Sequence, residues 1–368
     1  MDTTDPDITF DEKGECGHCQ AYDMVARPVI ERSCTPVGER ILKDTINKIK
    51  TDGKNKKYDC LIGVSGGVDS TFLAYKIKQL GLNPLAVHCD SGWNSELAIK
   101  NIENILTKLN IDLYTYVINW EEMKDLQLSF FKASVANCDV PQDHAFLAVL
   151  YHIADKQKIK YILSGGNIET EFVLPRAWGH NASDLRHIKA IHKQFGSLKL
   201  TSYPTLSFWK RYLYYPYIKG IKTIRLLDYI PYNNEEAKKI ISEKLEWRDY
   251  GGKHYESIFT RFFQAQYLLE KFNFDKRKAH LSSLILSGQL TREQALREIE
   301  KPPTSGVHHK EDKEFVAKKL GVSLDEFNKI LALEERSYKD FASNEVVFKI
   351  KDFVVPKIKN LKKNMGGL

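Results

Sequence analysis

Short apolar runs and helical stripes alternate through the first half of the chain. Glu39 to Lys50 puts Leu42, Thr45, Ile46 and Ile49 on one face at helical spacing, so a helix is predicted there. Tyr58 to Val64 is a short apolar run ending in glycines, the pattern of a buried parallel strand. A helix from Ser70 to Leu80 follows, with Leu73, Ile77 and Leu80 inward, and then a strand from Pro84 to His88. Ala98, Ile102, Ile105 and Leu109 mark the next helix, and Leu113 to Ile118 a third strand. Helices are predicted over about 121–134 and 142–157, and Tyr161 to Leu163 is a strand running into Ser164-Gly165-Gly166. This alternation predicts an α/β fold built on a doubly wound parallel sheet.

Beyond residue 175 the pattern changes. Aromatic residues crowd Phe208 to Tyr215, an amphipathic helix spans 234–246, and a longer helical stretch covers roughly 255–300. The organisation expected is a loop-like, cysteine-containing segment at 1–38, a nucleotide-binding unit at 39–175, a mostly helical layer at 176–310 and a helical tail at 311–368. The tail ends in a Lys-rich stretch, Lys357 to Lys363, read as a solvated helix end.

Composition narrows the function classes. The 368 residues are 42% hydrophobic and 28% charged, as in soluble globular proteins, and length predicts about two domains. No apolar run reaches the ~20 residues that cross a bilayer. Met1 to Phe10 is acidic and lacks the apolar stretch of a secretion signal. A cytoplasmic location with no membrane partner is therefore expected. The net charge of +7 suits anionic substrates but is too small to demand nucleic acid. Six cysteines stand at 16, 19, 34, 60, 89 and 138, and in a reducing compartment metal binding or burial outranks disulfides.

The strongest chemical signal is Gly63-Val64-Ser65-Gly66-Gly67-Val68-Asp69-Ser70-Thr71, where a strand ends and a helix begins. Backbone N–H groups converge there at a positive helix N-terminus, Gly66 and Gly67 permit close approach to phosphate, and Ser65, Ser70 and Thr71 offer hydroxyls. It is not a Walker A loop, because Val68 stands where that motif has Lys. Val87 to Gly92 lies at the carboxyl end of the second strand, where ligands bind in open parallel sheets. His88 and Asp90 are expected to face the nucleotide there.

Other stretches are suggestive. Asp139 and Asp143 stand four apart at a Pro-started helix entry, fit either to hold Mg²⁺ or move a proton, or to act as helix-dipole partners. Gly165 and Asn167 follow a strand at the ligand edge, with Thr170 and Glu171 just beyond. Gly251-Gly252-Lys253-His254-Tyr255-Glu256 joins flexible backbone to a cation, which would neutralise the α-phosphate or a leaving pyrophosphate. Arg261 follows, suited to an acidic group on a sugar. Trp93, Trp120 and Trp178 suit stacking on a sugar or a base. Asp275 to His280 is a charge-dense helix start, and His187 and His192, five apart, read as non-ligands.

The loop resembles the SGGxDS pyrophosphate loop of ATP pyrophosphatases, which cleave ATP to AMP and pyrophosphate. That resemblance implies ATP as cosubstrate with Mg²⁺, and that Asp69 orients the ion or the loop backbone. Over nearly its full length the sequence is similar to the N-acetyl sugar amidotransferases, which make acetamidino sugars for O-antigens and for pseudaminic or legionaminic acids. The stretches that carry this are Asp2 to Ile8 (DTTDPDI), His88 to Glu96 (HCDSGWNSE), Asn119 to Gln127 (NWEEMKDLQ) and Asp139 to His144 (DVPQDH). Gly165 to Glu171 (GGNIETE), Tyr250 to Thr260 (YGGKHYESIFT) and Asp275 to Ser282 (DKRKAHLS) complete them. The resemblance implies catalytic roles for Asp69, Lys253, Asp143 and Glu171, ATP binding by residues 65–71, His88, Asp90, Gly165 and Asn167, and sugar binding by Trp93, Asn94, Glu96, His144, Thr170, Glu171, His254, Tyr255, Glu256 and Arg261.

Amide resonance makes an acetamide a poor electrophile. The expected route is adenylation of its oxygen, followed by displacement of AMP by ammonia. Water would destroy the intermediate, so the helical layer and the 208–215 segment are candidate lids. No cysteine has the setting of a glutaminase nucleophile. Ammonia is therefore expected from a separate glutaminase, with a cyclase-like channel subunit as a further candidate partner. The substrate expected from the resemblance is an N-acetyl sugar, free or nucleotide-linked. The alternatives are a tRNA-modifying enzyme of the thiolation or lysidine type, whose basic tail would track phosphates, and a nucleotide sensor without turnover. Cys16-Gly17-His18-Cys19 supplies two of the four ligands of a structural Zn²⁺. Family members commonly carry a second such pair just upstream of the Asp2 to Asp7 stretch, so either the start of the chain is trimmed or the site is incomplete, with Cys34 or His18 as candidate substitutes.

Overall fold

The computed structural model describes residues 1–253, 255–304 and 306–364, with side chains given for all of these but 306, 307 and 355–364. His254 and the side chains of Lys357 to Lys363 therefore lie outside the described residues. Among the described residues no helix is long and apolar enough to cross a membrane.

Five parallel strands form one sheet in the order β3-β2-β1-β4-β5: β1 (Cys60–Gly63), β2 (Pro84–Asp90), β3 (Asp112–Val117), β4 (Tyr161–Ser164) and β5 (Lys222–Arg225). The register pairs Gly63 with Val87 and Ile62 with Leu163, so β1 and β4 end level and β2 runs on to Asp90 at the same edge. β1 and β4 are apolar because both their faces are covered. Ile62, Val64, Ala86 and Leu163 pack under the helices Pro36–Gly53, Val68–Gln79 and Glu96–Leu109. Leu61, Leu85, Val87 and Ile162 pack on the opposite side, under the helix Val140–Lys156. β1 has neighbours on both sides reached by crossovers, which opens a crevice above its carboxyl end.

A third apolar cluster lies beside the sheet. Phe130 and Phe131 of the helix Trp120–Ala133 meet Phe259, Phe262, Phe263, Tyr267 and Phe327, all buried, and Phe131 packs edge-on to Tyr267 at 5.1 Å and Phe327 at 5.3 Å. Burying rings of this size contributes about 2–3 kcal/mol each.

Three elements depart from expectation. Residues 1–16 are loop-like as expected, but residues 17–33 are helical, with turns over Gly17–Ala21 and Tyr22–Ala26 and a helix Arg27–Ser33 that carries Pro28 in its first turn. β5 extends the sheet inside the stretch predicted as mostly helical, because a short edge strand with exposed Lys222, Thr223 and Arg225 lacks a buried strand's apolar signal. The 208–215 aromatics enter a wide helical segment, Lys210–Ile218, with Pro216 inside it.

Candidate functional site

The glycine-rich loop leaves β1 at Gly63 and enters the helix Val68–Gln79 with Gly67 as N-cap. Gly66 has φ +84°, and a Cβ there would lie 2.8 Å from the Ala98 carbonyl. Only glycine fits both constraints. The Gly66 carbonyl accepts from Trp247 Nε1 and Tyr250 Oη, each at 2.8 Å. These two side chains fix the peptide that opens the helix, and neither is evident from the sequence. Ser65 and Ser70 hydroxyls stand 3.3 Å apart at the loop mouth. Thr71 is fully buried and donates to the Gly67 carbonyl at 2.7 Å, so its hydroxyl braces the helix instead of facing the mouth.

Beside the loop the chain gathers a polar cluster. Asp69 accepts from Asn167 Nδ2 at 3.1 Å and from the Tyr232 hydroxyl. Lys253 Nζ lies 3.1 Å from Glu171 Oε1, 3.3 Å from Thr170 Oγ1 and 3.8 Å from Asp69 Oδ2. Gly165 packs its Cα against the Asp69–Ser70 backbone, where a Cβ would lie at 3.1–3.2 Å. Asn167 caps the turn Ile168–Glu171 by accepting from Thr170 N at 2.8 Å, which orients Thr170 and Glu171. Burial and the Asp69 carboxylate push the Tyr232 phenol far up, so it stays protonated and donates to Asp69. Behind it, burial raises Glu169, which accepts from Tyr232 N and Gln289.

The other side of the loop opens on a cavity of about 940 Å³. Ser65, His88, Asn94, Asp139, Asp143 and Glu256 line it, together with Arg176, His180, Tyr338 and Lys349. His88 Nδ1 pairs with the Val64 carbonyl at 3.0 Å and Nε2 with Asn94 Nδ2 at 3.1 Å. The carbonyl fixes the proton on Nδ1, so Nε2 accepts from Asn94. Asp90 accepts from Gly92 N at 2.8 Å and shapes the turn. Glu256 Oε1 reaches Gly67, 3.2 Å from where a Cβ would stand.

Several expected site residues are engaged elsewhere. Trp93 is 1% exposed, donates to Gln127 Oε1 at 2.8 Å and packs on Trp120 and Phe259, so it stacks on core rings and has no face for a sugar. Trp178 is likewise buried, its Nε1 on the Thr4 carbonyl. His144 is fully buried, with Nδ1 on the Ala182 carbonyl at 2.6 Å and Nε2 accepting from Leu206 N at 3.0 Å. Burial lowers its pKa to about 4, so it is a neutral structural residue rather than a sugar contact. Arg261 forms a two-point pair with Asp312 at 2.6 and 2.7 Å, which occupies the guanidinium meant for the sugar. Tyr255 donates to the Pro303 carbonyl at 3.0 Å, and Glu96 is exposed on the first turn of its helix. Helix-start charges at Asp275 are likewise structural, since Asp275 caps Arg277 N and pairs with its side chain.

Oxygen donors for Mg²⁺ are present: Asp69 and Glu171 converge around Lys253, a set compatible with an ion that also takes phosphate oxygens. The zinc expectation does not fit. Cys16 and Cys19 sulfurs are 3.4 Å apart, but His18 Nε2 is bound to Asp5 at 2.7 Å and Cys34 is exposed. Among the described residues no group of three or more His, Cys, Asp or Glu side chains could hold a metal ion. Burial and Cys16 together push the Cys19 thiol up to about 11, which favours its protonated form.

Comparison with known proteins adds the following. Residues 256–354 match the family described as LPS biosynthesis protein WbpG-like, C-terminal domain. The uncharacterized protein MJ1599 of Methanocaldococcus jannaschii is 23% identical over 264 residues, 71% of this chain and 78% of its own. A tRNA(Ile)-lysidine synthase of Chlamydia pneumoniae is 31% identical over 138 residues, 37% of this chain and 40% of its own. Among solved structures, the U34-tRNA thiolase NcsA of Methanococcus maripaludis aligns with 68% of this chain and 81% of its own at 16% identity and TM-score 0.32. The NH3-dependent NAD synthetase of Campylobacter jejuni aligns with 43% and 72% at 18% identity and TM-score 0.29. The chain thus combines an α/β parallel sheet, a glycine-rich loop at its carboxyl edge and a C-terminal region similar to that of WbpG-like proteins.

Proposed function

We propose that the chain is an ATP-dependent amidotransferase synthetase that converts the acetamido group of an N-acetyl sugar to an acetamidino group, releasing AMP and pyrophosphate. The observation that carries this reading is Lys253, held between Asp69 and Glu171 beside the pyrophosphate-type loop. The WbpG-like match of residues 256–354, immediately after that lysine, supports a sugar as the acceptor.

The loop cradles the β- and γ-phosphates, and Lys253 neutralises charge that builds on the departing pyrophosphate. Asp69 and Glu171 would hold a Mg²⁺ ion, which would supply charge neutralisation of the phosphates. The acetamide oxygen attacks the α-phosphorus as the bond to pyrophosphate breaks, which gives an O-adenylyl imidate. Ammonia then adds to the imidate carbon, AMP leaves, and the amidine keeps the proton that makes it a cation. Glu256 and Asp143, both on the cavity wall, are the groups suited to take a proton from the incoming ammonia. The ammonia is supplied by a separate glutaminase.

The test is product analysis with a panel of N-acetylated sugars and nucleotide sugars plus ammonium salts. AMP and pyrophosphate should form together with a sugar that has gained a positive charge. ADP and phosphate, or glutamine-driven turnover by this chain alone, would overturn it. A tRNA-modifying reading has one observation in its favour, the similarity to a tRNA(Ile)-lysidine synthase over 138 residues. AMP release stimulated by bulk tRNA and indifferent to N-acetyl sugars would select it.

A further inference from the structure

The segment Lys210–Ile218 and the helix Glu345–Asn364 pack together: Phe208 meets Phe348 at 5.4 Å, and Lys351 sits 4.4 Å over the Tyr212 ring. One side of the helix, with Glu345, Phe348, Lys349 and Asp352, lines the cavity. Its other side shows Val346 and Ile350 to solvent at helical spacing, 69% and 57% exposed. The neighbouring segment exposes Trp209, Leu213, Tyr217 and Ile218, at 65%, 47%, 75% and 73%. So many large apolar side chains on adjoining elements need an occupant.

Charge identifies it. Residues 207–222 hold four cations and no acid, and residues 345–354, whose side chains are described, hold two cations against two acids. The first stretch alone therefore carries +4, against +7 for the whole chain. The acids beside them are already matched, Asp155 with Lys219 at 2.7 Å and Glu345 with Lys349 at 2.7 Å. A second copy docked face to face would set this basic surface against itself. A nucleic acid would match the charge but gives Leu213, Ile218 and Ile350 nothing to bury against. A surface of Trp, Tyr, aliphatic and basic side chains matches the headgroup boundary of an anionic bilayer, where rings and alkyl groups enter the interface and cations meet lipid phosphates.

We infer that this surface docks the protein peripherally on anionic membranes. The inference is independent of the reaction proposed above and departs from the expectation of a chain with no membrane contact. It is tested with the full chain and vesicles of phosphatidylcholine alone or mixed with phosphatidylglycerol. Binding should require the anionic lipid, weaken with salt and blue-shift tryptophan emission. Tyr217→Ser with Ile218→Ser, and separately Ile350→Ser, should each lower vesicle affinity by about tenfold or more, with ATP turnover in solution unchanged. The wild-type lipid series stands alone if a variant fails to fold. No binding to either vesicle, equal binding to both, or loss of RNA binding or of self-association as the only effect of the substitutions would overturn the inference.

Discussion

Lys253 is the cation best placed to act on a phosphate, and its three oxygen neighbours hold it in position. Lys253→Met should lower the rate of pyrophosphate release by roughly 10²–10³-fold, the usual cost of removing a group that stabilises developing charge. The melting temperature should barely move, which separates chemistry from folding. His144 makes the opposite kind of prediction. Its folded pKa is about 4 against 6.5 for the free side chain, so the unfolded chain binds the extra proton between those values. Stability is then full above about pH 6.5 and falls as pH drops towards 4, by on the order of 2 kcal/mol at pH 5 from this residue. Thermal unfolding at pH 7 and pH 5 measures it, and His144→Gln should flatten that part of the profile. His144, Trp93 and Arg261 look functional in sequence because polar, aromatic and basic residues in a distinctive stretch invite that reading. What redirects them is tertiary: Ala182 and Leu206, Gln127, and Asp312 stand 34 to 62 positions away, beyond any local pattern.

At the scale of elements the sheet was legible wherever a strand is buried on both sides. β1, β2 and β4 emerge from unbroken apolar runs, and the loop after β1 follows from glycines at a strand–helix junction. β5 was not, because an edge strand of four residues with polar neighbours has no periodicity to read. The N-terminal helices were hidden by short turns and by Pro28. Within the loop, Gly66→Ala should destabilise the fold by about 1–3 kcal/mol, since it adds both a left-handed backbone cost and a clash with the Ala98 carbonyl. Denaturant unfolding would register this as a shift in midpoint at constant slope. Trp247 and Tyr250, which hold the same peptide, could not be foreseen, because an indole 181 residues away in sequence has no local signature.

For the whole molecule, the apolar cluster around Phe131 draws on residues from 93 to 341, so the C-terminal region packs into the same core as the sheet's own helices. A chain ending at residue 255 would expose Phe130, Phe131 and Met123. It should therefore aggregate or lack a cooperative transition by circular dichroism. A folded, nucleotide-binding 1–255 fragment would show that the C-terminal region is a separable domain.

The hydrogen bond from Trp247 to the Gly66 carbonyl also has a spectroscopic consequence. An indole buried at 3% exposure and bonded directly to the peptide proposed to bind phosphate is a built-in fluorophore at the loop. Phosphate drawn to the N–H side of that peptide polarises its carbonyl, and the Trp247 emission should respond. Trp93 and Trp178 are sealed in the core, whereas Trp209 is open to aqueous quenchers. Iodide should silence Trp209 first, leaving a signal whose nucleotide-dependent part comes from the loop, so binding and membrane docking can be followed separately in one unlabelled molecule.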